Sequence, residues 1–425
     1  VTLPSGADAI NDVTGFVGID KTCMPGAYPA IGTYVPVSNV LEHSQINLDV
    51  ALFNDALKGD SPSYAAAKTI YEEGGGNSCK SATQGRTLKG FATKDLTGES
   101  FADAFYASGL PTDFWDAEIT AALDGTGKYE GLSNTKRVTS AKKCVLGLVT
   151  YYASHELEAA IQKAAGSDGP SDSKSGHAWD EGWAFYYGTD GSNSPWEVSK
   201  KRDANFPDGA EVETAIVPYF NSGLVAVRAG TYSDSAAKEA MGVIYKMWAV
   251  TYLRAAYKYL EISERSYSEK AHAEGYSYYM AIDGWIAAKD SAAAQTMREA
   301  LDISKTEIAS GTYCAAKAAM ETAYAVIGID CGMVGTWTDD SAIVISCSTA
   351  CSATAVTLPS GADAINDVTG FVGIDKTCMP GAYPAIGTYV PVSNVLEHSQ
   401  INLDVALFND ALKGDSPSYA AAKTI

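Results

Sequence analysis

Two stretches, TSAKKCVLGLVTYYASHELEAAIQKA at residues 139–164 and AAKEAMGVIYKMWAVTYLRAAYKYLEIS at residues 236–263, decide the fold. Each keeps apolar side chains at three- and four-residue spacing over about seven turns and contains no proline, the pattern of a long buried α-helix. Each is followed by a shorter aromatic stretch built around Glu-Gly, HAWDEGWAFYYG at 177–188 and HAEGYSYYMAI at 272–282. Aligning Glu181-Gly182 with Glu274-Gly275 predicts a duplicated helical hairpin. Two such hairpins facing each other make a four-helix bundle, which would bury aromatic faces this dense.

Working outward, the same period predicts helices over 44–58, 62–73, 100–107, 111–123, 140–165, 174–187, 235–262, 266–289, 291–308 and 312–326. The fold class expected is all-α, a helical bundle over 43–326. Residues 1–42 are rich in Gly, Pro and Thr and lack a helical period, and 327–355 return to small, irregular sequence. Residues 356–425 repeat 1–70 without a single difference, at an offset of 355. The expected organisation is therefore an irregular segment 1–42, a helical core 43–326, a disulfide-linked connector 327–397 between tandem units, and 398–425 as the first helices of the next repeat. A connection of about 70 residues is too long for an ordinary loop and implies an ordered connector. Ile425 stops inside the helix that the first copy continues to Glu73, so the chain reads as a window on a longer array.

The composition narrows the function. The chain is 46% hydrophobic and only 19% charged, too apolar for a disordered acidic tail. Its net charge is −20, and removing the duplicate, with seven acids and three bases, leaves −16 for one unit. Nucleic acid is excluded as a partner, because phosphate contacts draw on clustered Lys and Arg. No stretch approaches the roughly 20 apolar residues of a membrane helix. One unit holds seven cysteines, Cys23, Cys79, Cys144, Cys314, Cys331, Cys347 and Cys351, without the paired spacing of a zinc knuckle. Disulfides in a secreted or periplasmic protein are expected, with the odd thiol free and buried at Cys144.

Four distinct histidines, His43, His155, His177 and His272, each have a carboxylate nearby. The spacings His155 to Glu158 and His177 to Glu181 put both side chains on one helical face, and His272 stands two residues before Glu274. Imidazole and carboxylate converging from bundle helices are the parts of a metal site, suited to iron, manganese or zinc. The candidate ligands are His155, Glu158, His177, Glu181, His272 and Glu274. The competing expectation is a buried hydrogen-bonded Glu, Tyr and His network without metal. Tyrosines offer ferric iron a phenolate as a secondary option. No nucleophile motif and no phosphate-cradling loop is present, so no enzyme is expected.

HAWDEGWAFYYG, KKRDANFP at 200–207, LRAAYKYL at 253–260 and HAEGYSYYMAI together resemble the algal iron-assimilating protein family, secreted or periplasmic proteins induced by low iron or high carbon dioxide. The resemblance covers the helical core and implies an extracytoplasmic location and iron uptake or binding. It points to Glu181 and Glu274, with His177 and His272 beside them. Two functions follow. The first is a secreted structural protein whose identical units assemble with neighbouring copies into an extracellular filament. The second is an extracytoplasmic iron-binding protein with a His/Glu site in the bundle.

Overall fold

The computed structural model describes residues 30–81 and 84–347. In chain order the elements are α1 (Leu41–Ser44), α2 (Ile46–Ala56), α3 (Tyr64–Glu73), an antiparallel pair β1 (Cys79–Ser81) and β2 (Gln84–Gly85), α4 (Leu88–Ala92), α5 (Ser100–Ala107) and α6 (Phe114–Asp124). They continue as α7 (Asn134–Ala165), α8 (His177–Tyr187), α9 (Pro195–Asp203), α10 (Val212–Ala215), α11 (Val217–Arg228), α12 (Asp234–Arg265), α13 (Glu269–Met280), α14 (Asp283–Ala287), α15 (Ser291–Ala300), α16 (Thr312–Ile327) and α17 (Cys331–Val334). The all-α expectation holds. Side-chain caps from Ser63, Ser133, Ser194 and Ser268 satisfy the first free N–H groups of α3, α7, α9 and α13. No helix among the described residues is long and apolar enough to cross a membrane.

The expected four-helix bundle is corrected to a ring of five. Helix α7 packs on α8 and α13, α12 packs on α13 and α11, and α11 closes back on α8. The sequence pattern missed α11 because Pro218 and Gly223 weigh against a helix. Pro218 lies in the first turn, where its missing N–H costs nothing. At Gly223 a Cβ would stand 1.8 Å from Trp179 Cζ2, so only glycine lets α11 close the ring on α8. The span predicted as one helix over 266–289 breaks after Met280, and the span over 291–308 ends at Ala300.

The segments expected to lie outside the core are sewn into it. Ile31 and Tyr34 are buried, and Trp183 Nε1 donates to Ile31 O at 2.9 Å. At the other end Ile329, Met333, Val334 and Trp337 are buried. The fully buried Arg254 guanidinium donates to Val334 O, Met333 O and Asp203 Oδ1. Cys347 is bonded to Cys314 on α16, Cys331 is also disulfide-bonded, and Cys79 and Cys144 are free, the latter buried. Residues 327–347 therefore belong to the helical body. The remainder of the expected connector, 348–397, the segment 398–425 and residues 1–29 lie outside the described residues.

The tandem-unit expectation is corrected with them. Helices α1 to α3 bury Ile46, Val50, Phe53 and Tyr71, and they pack against α6, α7 and α8. The repeated 70 residues carry sequence for α1, α2 and the first seven residues of α3 but none for α6, α7 or α8. The described residues form one helical unit, and the expectation of concatenated units that build a filament with neighbouring copies as partners is corrected to this single body.

Candidate metal centre

His43 comes from α1, and His177 and Glu181 stand one turn apart at the start of α8. His43 Nε2 lies 2.7 Å and His177 Nε2 lies 2.9 Å from the same oxygen, Glu181 Oε1. The three ligand atoms fall within 4.8 Å of one another, a grouping that could hold a metal ion. The His43 and His177 rings meet edge to face at 5.5 Å, with Phe185 against His43. His43 and Glu181 are largely buried, while the His177 side chain is 32% exposed, which leaves the approach from solvent on its side.

A second layer sets the proton positions. Asp180, fully buried, accepts from Tyr34 OH at 2.6 Å, from the backbone N–H groups of Val37 and Ser38, and from Ser38 Oγ at 2.7 Å. Having given its only hydrogen to Asp180, the Ser38 hydroxyl can only accept from His177 Nδ1, 2.8 Å away. That places the proton on Nδ1 and leaves the Nε2 lone pair facing Glu181. This carboxylate–hydroxyl–imidazole chain is the kind of support that fixes the tautomer of a metal-binding histidine. It also explains why residues 34–38, irregular in sequence, are folded into the body.

The charges around Glu181 are strongly tuned. Burial alone would raise its carboxyl, but the close contacts with His177 and His43 hold it well below the usual carboxylate range. Glu156, buried on α7, moves the other way: burial and the adjacent Glu181 charge push it up, so it keeps its proton and shares it with Glu181. His43 is pushed down by burial, against the pull of Glu181, and so favours the neutral form that binds metals. The Arg86 guanidinium, beyond β2, reaches His43 Nε2 and the Cys79 carbonyl. Behind Glu156, Glu99 accepts from His155 Nδ1 at 2.6 Å, and His155 Nε2 faces Glu156 at 3.9 Å.

Of the six candidate ligands, the structure brings two together, His177 and Glu181. His155 stands behind Glu156 as described. Glu158 turns away to accept from Ser100 Oγ and the Phe101 N–H at the start of α5 and from Tyr245 OH on α12. His272 is buried with Nε2 unpartnered, beside Tyr267, and Glu274 pairs with Lys143 Nζ at 3.3 Å. His43, Glu156, Ser38 and Asp180 all stand outside the six candidate ligands, although His43 is one of the four histidines with a carboxylate nearby. The available signal was the scarcity of histidine, four in a unit, each beside a carboxylate. The Tyr152 phenol, whose ring meets His155 and Phe185, is pushed up by burial and by the Glu156 and Glu181 charges, which disfavours a phenolate ligand.

The model of the Fea1 family, described as low iron-inducible periplasmic protein, matches residues 21–358. The chain belongs to this family. The Fea1 match runs from before the described N-terminal residues to beyond Cys347, so it takes in the whole centre and the first 32 residues, 327–358, of the expected connector. Membership agrees with the expectation of a protein without catalytic activity. It also agrees with the extracytoplasmic setting expected from the cysteines, where a bond such as Cys314–Cys347 persists. No curated protein and no solved structure matches the chain.

Proposed function

We propose that this protein binds iron outside the cytoplasm as part of iron assimilation, through His43, His177 and Glu181. Two imidazoles and one carboxylate on one side of an ion form the donor set associated with non-haem ferrous iron. The observation that supports it is the contact between His177 Nε2 and Glu181 Oε1 at 2.9 Å, with the imidazole proton committed to Nδ1 by Ser38. Two lone pairs face each other there, one on His177 Nε2 and one on Glu181 Oε1, and a metal ion held by both would satisfy them. Glu156 supplies a fourth donor once its shared proton leaves, and Glu99 and His155 hold it in place. Loading therefore releases protons and is favoured as pH rises.

Anaerobic titration of the metal-free full chain with ferrous iron, read by equilibrium dialysis and elemental analysis, tests this. One equivalent per chain is expected, and His177→Ala or Glu181→Gln should each weaken binding on the order of 100-fold. Failure of the chain to take up iron, or the same uptake in both variants, would remove the reading.

A further inference from the structure

Away from the metal centre, a cavity of about 530 Å³ lies between the end of α2, the loop leading to α3, and the first turns of α7 and α13. Lys58, Lys142, Lys143 and Lys270 line it, against the carboxylates of Asp60 and Glu274. In a chain with 51 acidic and 31 basic side chains this is a local reversal of sign. Lys143 is matched by Glu274 at 3.3 Å, and Lys58 lies beside Asp55 at 3.8 Å with both exposed. Lys142 and Lys270 have no carboxylate within ion-pair distance among the described residues. The ammonium of Lys142 is pushed down by burial and then by Lys143, Lys58 and Lys270, with only Asp55 opposing.

The helices add to the field. The 32-residue α7 begins at the cavity, with Asn134, Thr135 and Thr139 in its wall and no acidic residue in its first turn. The positive end of its dipole therefore faces the space. Helix α13 also begins there, its first turn contributing Lys270, while Glu269 is taken up by Ser133 Oγ at 2.7 Å. The positive groups come from three separate elements rather than from one point. The volume falls in the range of about 300–1,000 Å³ used by small organic ligands.

We propose that this cavity binds a small organic anion carrying two or more carboxylate groups, with Lys142 and Lys270 as its principal partners and the hydroxyls of Thr135 and Thr139 as orienting donors. A polycarboxylate spans lysines on different elements, which a single-centre oxyanion does not. The site is separate from the metal centre, since Lys142 and Glu156 are roughly 21 Å apart along α7.

The test is calorimetric titration of the metal-free full chain with citrate, acetate and inorganic phosphate. Citrate should bind with one-to-one stoichiometry, at least tenfold tighter than acetate or phosphate. The double variant Lys142→Gln, Lys270→Gln should lose at least tenfold in citrate affinity while keeping its helical circular dichroism and its uptake of ferrous iron. Citrate binding no tighter than acetate or phosphate, or unchanged in the double variant, would overturn the proposal. Loss of iron uptake in the wild type would count against the metal centre alone, because the citrate comparison does not depend on iron.

Discussion

Glu181 meets two imidazoles, and Glu274 meets an ammonium group. The difference comes from what stands opposite each Glu-Gly helix: α1 brings His43 to the first, and α7 brings Lys143 to the second. His272 is held even further from metal chemistry. Burial, with Lys136 and Lys305 close by, pushes its imidazole down to about 4. The unfolded chain, with a histidine pKa near 6.5, takes up the proton more readily than the folded one. Stability is therefore fully present above about pH 6.5 and is lost as pH falls toward 4, by about 3 kcal/mol from this group. Urea unfolding at pH 7.5 and pH 4 should show a loss about 3 kcal/mol larger in the wild type than in His272→Gln. Equal losses would show that His272 is not the titrating group.

At the scale of elements, the glycine of each Glu-Gly pair sets how closely two helices approach. A Cβ at Gly182 would lie 2.6 Å from Leu157 Cδ2 on α7, while at Gly275 the nearest contact is Leu301 Cδ2 at 3.0 Å. Leu157 directly follows Glu156, so the α7–α8 spacing also fixes the distance between the two carboxylates that share a proton. Gly182→Ala should destabilise the fold by about 1–3 kcal/mol through overpacking, partly offset by better helix propensity. It should also weaken ferrous iron binding. Gly275→Ala should cost less and leave iron binding unchanged, because α13 carries no ligand. Thermal unfolding alongside the iron titration of both variants checks this; equal effects would separate the glycine from the centre.

At the scale of the molecule, the three donors and their supporting residues all lie between Tyr34 and Glu181. The ring that holds them is complete by Met280, and the tail to Cys347 seals it. The exact repeat at 356–425 contains a second copy of His43, as His398, but no copy of His177, Glu181 or Glu156. A chain ending at residue 355 should therefore bind ferrous iron with the affinity of the full chain and show the same stoichiometry. A tenfold or greater loss on truncation, in the same dialysis experiment, would mean that the repeated segment takes part in the centre.

The long helices were legible because 26 or more residues of unbroken apolar period admit few alternatives, although α7 begins at Asn134, six residues before the start that the period gives. The His177–Glu181 pair was legible for the same local reason, since four residues of helix place both on one face. The sequence by itself thus determined an all-α acidic protein, its principal helices and two of the three residues of the candidate centre. The tertiary structure decided what local pattern does not encode. His43 and Glu181 are 138 residues apart, and only the docking of α1 on α8 brings their side chains to 2.7 Å. The same holds for Ser38 and Asp180, for the glycine contact that admits α11 to the ring, and for the tail, whose polar spacing reads as a linker until Arg254 and Cys314 tie it down. Periodicity reports which face of an element is buried, and it carries no information on which partner buries it.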